Sequence, residues 1–199
     1  MALERDAQLM LRVKEGDQAC FAELLERYRN PVIHFIYRMV QNQAVAEELA
    51  QDVFLRVYRA RKSYEPSAKF TTWLFRISTH IALNAIRDTR GERSFESVDD
   101  QQSQVSDLPD RRGTIEQALL EDARLKEIRR AVQALPAKQR AAVLMHKYNE
   151  MDYAQIAQVL RCSESAVKSL LFRAYESLRR KLAHFAVRAP IGAPCGSSR

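Results

Sequence analysis

Apolar side chains return every three or four residues from Asp6 to about Arg90: Phe21, Leu24, Leu25 and Tyr28, then Ile33, Ile36, Tyr37 and Val40, then Leu49, Val53 and Val57. That period is the buried stripe of amphipathic helices, so residues 1–92 are predicted to form a helical bundle. The text then changes to RSFESVDDQQSQVSDLPDRRGT over 93–114, which is polar, has no period and is poor in large apolar residues. It reads as a flexible linker. Helical periodicity resumes over 115–186, broken at Leu135-Pro136, where proline disfavours helix in the preceding residue and suits the start of a new one. The tail 187–199, VRAPIGAPCGSSR, is rich in proline, glycine and serine and is expected to be disordered. The predicted fold class is all-α, two small helical domains joined by a linker.

The clearest constellation is DYAQIAQVLRCSESAVKSLLFRAYESLRRKL, beginning at Asp152. Asp152 can cap a short helix and Ser163 a longer one after a tight corner, although Arg161 holds the turn position where glycine is usual. Small Ala157 permits close crossing, and Ile156, Leu160, Cys162, Val167 and Leu170 fall where a helix-turn-helix buries its contacts. On the second helix Val167, Leu170, Leu171, Ala174 and Leu178 form the inner face, which leaves Ser165, Lys168, Ser169, Phe172, Arg173 and Glu176 outward or flanking. A solvated helix tolerates one exposed phenylalanine. The functional alternative is major-groove recognition: Lys168 and Arg173 reach phosphates or guanine edges, Ser169 bonds either kind of base, and Phe172 presses on a thymine methyl.

Two earlier segments carry further surfaces. In AEELAQDVFLRVYRA, Ala50, Val53, Phe54 and Val57 make a core stripe, while Glu48, Asp52, Leu55 and Arg59 stack on the opposite face, either a docking surface or an ordinary solvated one. In KSYEPSAKFTTWLFRISTHIALNAIRDTRG, Leu74, Ile77, Ile81 and Ala85 are predicted to be buried, and Trp73, Arg76, His80, Asn84 and Arg87 align on another flank. Interleaved cations, amides and an aromatic are what single-stranded nucleic acid requires; the plainer reading is a structural Trp73 beside solvated arginines.

Composition narrows the choice. A net charge of +7 favours a polyanionic partner without specifying it. The five glycines form neither GxGxxG nor GxxxxGK[ST], His34, His80, His146 and His184 are scattered, and no HExxH or GxSxG occurs, so no catalytic seat and no cofactor are expected. Cys20, Cys162 and Cys195 are far apart and odd in number, so reduced structural thiols are expected rather than a disulfide framework or a metal pair. The charged, amphipathic N-terminus does not read as a secretory signal and no long apolar run reads as a membrane span, so a cytoplasmic location without membrane insertion is expected.

Taken together, GDQACFAELLERY, AEELAQDVFLRVYRA, the FTTWLFRIS block, LPAKQRAAVLMHKY, and DYAQIA with AVKSLLFRA, in that order, resemble the extracytoplasmic-function (ECF) sigma factors, sigma-70-type specificity subunits of bacterial RNA polymerase. The resemblance spans nearly the whole chain. It implies a non-enzymatic subunit that promotes promoter opening for a stress-response set of genes. It implies that Glu48, Gln51, Asp52, Leu55 and Arg59 dock on the clamp coiled coil of the largest polymerase subunit, with a second contact at the flap. The loop Tyr64, Ser67, Ala68, Lys69 and Phe70, with Trp73, Arg76, His80, Asn84 and Arg87, would capture the −10 element. Ser165, Lys168, Ser169, Phe172 and Arg173 would read the −35 element. The implied partners are core RNA polymerase, promoter DNA and an anti-sigma factor. Leu170, where the family often has arginine, with Arg161, Met145 and Ala166, departs from the pattern and leaves the promoter sequence open.

Overall fold

In the computed structural model residues 4–92 and 115–186 are described, with side chains at 4–89 and 123–184. The expected linker with Asp99, Asp100, Asp107 and Asp110, and the expected disordered tail with Cys195, lie outside the described residues. Every regular element described is helical: α1 (Arg5–Glu15), α2 (Gln18–Val40), α3 (Gln43–Arg59), a 3-10 turn (Ala60–Ser63), α4 (Phe70–Glu92), α5 (Ile115–Gln133), α6 (Ala137–Tyr148), α7 (Tyr153–Leu160), α8 (Glu164–Lys181) and a final turn, Ala183–Ala186. Among the described residues no helix is long and apolar enough to cross a membrane.

Local chemistry sets the corners. Gly16 closes α1 in the left-handed conformation at φ 108, and the Asp17 carboxylate then accepts from the Cys20 amide to start α2. Gln41 ends α2 at φ 59, and Asn42 caps α3 through the Val45 amide. Pro31 lies inside α2 and removes one backbone donor, a cost of roughly 3 kcal/mol. Burial of Val32, Ile33, Phe35, Ile36 and Met39 just beyond it, each contributing about 1.5–3 kcal/mol, keeps the helix continuous.

Helices α1 to α4 enclose the first part of the core. Leu9, Met10 and Val13 of α1, Leu24 and Ile36 of α2, Val53 and Val57 of α3, and Leu74 of α4 belong to one buried cluster. Asp6, itself buried, accepts hydrogen bonds from the Arg27 guanidinium and the Tyr28 hydroxyl and so ties α1 to α2. Burial, reinforced by that bond to Asp6, pushes the Tyr28 phenol well above its ordinary range.

Helix α4 departs from its expected pattern. Leu74 and Ile81 are buried as predicted, but Ile77 and Ala85 are only partly covered, whereas Phe75, Ser78, Thr79 and Ala82 are fully enclosed. The reason is tertiary: Phe75 meets Phe35 edge-on at 5.3 Å on one side, while α6 and α7 pack on the other, where the Thr79 hydroxyl lies 4.0 Å from the Met145 sulfur. The two domains are therefore packed together, and one hydrophobic cluster runs from Leu9 to Ala174.

Arg140 of α6 fastens this contact. Only 6% exposed, it donates to the Met39 carbonyl at the end of α2 and, within its own domain, to the Gln133 side chain and the Gln133 and Leu135 carbonyls. Gln133 donates to the Arg38 carbonyl at 2.6 Å, and the Arg38 guanidinium sits 4.1 Å from the centre of the Tyr148 ring. The last carbonyls of a helix lack partners within it and carry its negative dipole end, so a cation and an amide from the second domain complete α2. Replacing Arg140 with alanine strands several buried acceptors, a loss of about 3 kcal/mol, and is expected to lower Tm by roughly 6–12 °C. Arg140→Lys, which keeps charge but not the fork, should fall between. Calorimetry of the three proteins checks this, and an unchanged Tm in Arg140→Ala removes Arg140 from the contact's energetics.

Candidate nucleic-acid and docking interfaces

The α3 face is open to solvent. Glu48, Gln51 and Arg59 are exposed, Asp52 is half-buried and pairs with Arg56 at 2.9 Å, and Leu55 is 52% exposed. Beside Leu55 lies a cleft of about 790 Å³ between α2 and α3, whose lining includes Phe21, Leu25, Ile33, Phe54, Leu55 and Tyr58. The Phe21 and Tyr58 rings meet at a tilt on its wall, with centroids 5.0 Å apart. The pattern of the sequence marks the α3 side of this surface but places Phe21 and Leu25 in the interior. Their period is indeed that of a core stripe, and only the width of the apolar arc on α2 hinted that it faces two ways.

The loop between the 3-10 turn and α4 divides its residues. Ser67 and Lys69 are exposed and Ala68 is half-buried. Tyr64 and Phe70, expected on the nucleic-acid surface, are 2% and 1% exposed and belong to the core instead. The Tyr64 ring packs against Trp73 at 4.9 Å and Phe70 at 6.4 Å, and Phe70 packs against Tyr28 at 5.4 Å. Lys14 donates to the Tyr64 carbonyl at 3.0 Å, which pins the loop to α1. These rings form a pillar beneath the loop, and the stretch from Ser67 to Lys69 rides on top. On the adjoining α4 flank Arg76, His80 and Arg87 are exposed, while Trp73 and Asn84 are half-buried and Asn84 lies 3.4 Å from the His80 ring nitrogen.

The helix-turn-helix is built as its caps predict. Asp152 accepts from the Gln155 amide while the Gln155 side chain accepts from the Asp152 amide, a reciprocal box opening α7, and Ser163 accepts from the Ala166 amide to open α8. Arg161 takes the turn in the left-handed conformation at φ 52, which costs an L-residue roughly 1–2 kcal/mol where glycine would cost little. Val167, Leu171 and Ala174 are buried under α8 and Leu170 is half-buried. Ser165, Lys168, Ser169 and Arg173 are exposed and Phe172 is 67% exposed, so a polar face with one outward ring is presented whole. Lys168 lies 5.9 Å from the Tyr153 ring, which itself stacks on His146 at 5.6 Å. Cys20 is buried, and that burial with the Asp17 carboxylate raises its thiol, an environment that disfavours the reactive thiolate.

Comparison with known proteins agrees in both halves. The sigma-70 region 2 family matches residues 24–92 and the sigma-70 region 4 family matches residues 125–178. The chain is 31% identical to the RNA polymerase sigma-H factor of Pseudomonas aeruginosa, over 90% of this chain and 94% of that protein. It is 29% identical to the ECF RNA polymerase sigma factor SigW of Bacillus subtilis, over 86% and 93%. Among solved structures, the sigma factor RpoE bound to the anti-sigma factor NepR from Bartonella quintana shares the fold, with a TM-score of 0.64 at 22% identity over 82% of this chain and 96% of that one.

The pillar generates a test. The Tyr64 hydroxyl is buried without a hydrogen-bond partner among the described residues, and burial, more than the nearby Glu4 and Asp6 charges, pushes its phenol up to about 12. Tyr64→Phe removes that orphaned group and is expected to leave Tm at neutral pH unchanged or higher. Since the folded phenol holds its proton where the unfolded one releases it, the native tyrosine's contribution is complete below pH 10 and is lost as pH rises through about 12. Stability of Tyr64→Phe should therefore fall less steeply over that window. Denaturant titrations at stepped pH measure it, and a marked neutral-pH destabilisation would mean the hydroxyl is engaged.

Proposed function

This chain belongs to the ECF branch of the sigma-70 family, the specificity subunits of RNA polymerase and not enzymes themselves, and on that footing we propose how its three surfaces divide the work of promoter recognition. Leu55, Glu48, Gln51, Asp52 and Arg59, with the cleft walled by Phe21 and Tyr58, dock on the clamp coiled coil of the largest polymerase subunit. The stretch from Ser67 to Lys69 and the flank Trp73, Arg76, His80, Asn84 and Arg87 hold non-template bases of the −10 element. Ser165, Lys168, Ser169, Phe172 and Arg173 enter the major groove of the −35 element. The observation that carries this reading is the α8 face presented to solvent, where Ser165, Lys168, Ser169 and Arg173 surround the outward Phe172 ring with the donor, cation and apolar groups that base edges and phosphates take.

Magnitudes assign the opening of DNA to the complex. Stacking averages about 1.4 kcal/mol per step, so a bubble of about ten pairs costs roughly 14 kcal/mol. Capture of two bases at about 1–3 kcal/mol each supplies less than half. Geometry adds a second demand. Elements centred near −35 and −10 lie about 25 base pairs apart, roughly 85 Å along the duplex, whereas a compact chain of this size is about 40 Å across. The packed arrangement cannot touch both, so the two domains separate when polymerase is bound. An anti-sigma partner, as in the Bartonella quintana complex, then has a packed form of the chain to hold. The site of action is the cytoplasm, with polymerase.

Run-off transcription from a genomic promoter library, with core polymerase and with or without the chain, tests the reading. Specific transcripts are expected only with both, Leu55→Asp should reduce them more than tenfold while leaving helicity intact, and Phe172→Ala should lose promoters with a recognisable −35 element. Sequence-selective duplex binding by the chain alone with no transcripts would replace this reading with that of a separate DNA-binding regulator.

A further inference from the structure

The recognition face of α8 does not stop at Arg173. At 100° per residue Arg179 follows Phe172 by seven positions and Arg180 follows Arg173 by seven, so both return to the azimuth of the residue they follow. Both are exposed, and neither forms an ion pair among the described residues, although Glu176 stands one turn before them on the same face. Lys181, also exposed and in the same last turn, is turned about 160° from Arg179 and about 100° from Arg180, to the azimuth of Ala174 and Val167 on the inner face.

We propose that Arg179 and Arg180 grip the phosphate backbone flanking the −35 element, extending the α8 surface beyond its base-reading residues. This rests on the reading that α8 enters the major groove. A recognition helix places its N-terminal residues against base edges, and the groove is about 12 Å wide. From the middle of the 165–173 stretch to Arg179 and Arg180 is about ten residues, or roughly 15 Å of helix. That distance carries the two side chains past the groove wall to the sugar-phosphate strand. The guanidinium fork matches a phosphate's paired oxygens. An ordinary helix also gathers cations in its last turn to offset its dipole, but that explanation treats Lys181 like the two arginines, whereas contact with DNA separates them by azimuth.

The test is the salt dependence of holoenzyme binding to a labelled promoter fragment and to the same fragment with its −35 element scrambled. Each of Arg179→Gln and Arg180→Gln is expected to lower the slope of log affinity against log salt by about 0.9, the double variant by about twice that, with equal loss on both fragments. Lys181→Gln should leave the slope at its native value. An unchanged slope in the double variant, an equal fall in Lys181→Gln, or a loss confined to the unscrambled fragment each overturns the proposal. Phe172→Ala separates it from its premise: preference for the unscrambled fragment should fall with the slope intact, and if preference does not fall, the major-groove reading itself fails.

Discussion

The end of α2 is the point on which the rest of this structure turns. Its last carbonyls, from Arg38 and Met39, accept from Gln133 and from the buried guanidinium of Arg140 in the other domain. A helix of 23 residues, about 35 Å long, is thus completed by side chains 95 and 101 positions away. The opposite half of the same helix, through Phe21, Ala22 and Leu25, walls most of the apolar cleft beside Leu55. One rigid element therefore carries the candidate docking surface at its start and the interdomain fastening at its end. Pro31, between them, is tolerated because the residues on either side are held by packing.

That fastening shapes α4 as well. A helix packed on one domain needs one apolar stripe, but α4 is covered on two sides, which is why small polar Ser78 and Thr79 are enclosed. The Ser78 hydroxyl is satisfied by the Leu74 carbonyl at 3.0 Å within its own helix, so its burial leaves no orphan. The Thr79 hydroxyl instead faces the Met145 sulfur of the other domain at 4.0 Å, so its surroundings depend on the packed arrangement.

What the sequence disclosed and what it withheld follow the range of the interactions. The corners of the helix-turn-helix were legible because caps act within three residues: Asp152, Gln155 and Ser163 sit where their hydrogen bonds require. The exposed face of α8 was legible for the same reason, since helical phase is local. The burial of Tyr64 and Phe70 was not legible because an aromatic in a loop before a basic flank has the local look of a stacking platform. Their burial depends on Tyr28 and Trp73, and the Tyr28 contact spans more than forty residues. Arg140 gave no local signal at all. A charged residue in the first turn of a helix is ordinarily solvated, and only the arrival of the α2 terminus makes a dry, carbonyl-lined site for it.

The packed arrangement restrains the chain in an unusual way under the proposed reading. It buries none of the side chains assigned to reading the −35 element, and on the α4 flank it leaves Arg76, His80 and Arg87 in solvent. Each half can therefore meet DNA as it stands. What packing removes is the distance between them: two readers fixed on a body about 40 Å across cannot both reach elements roughly 85 Å apart. Losing one reader also loses its share of the binding free energy. With specific and non-specific binding separated by about 4–10 kcal/mol in typical DNA-binding proteins, surrendering one of two elements is enough to erase most promoter preference. Under that reading, restraint by spacing leaves the −35-reading side chains and the exposed α4 cations ready, and polymerase, by holding the halves apart, converts two weak local contacts into one selective one.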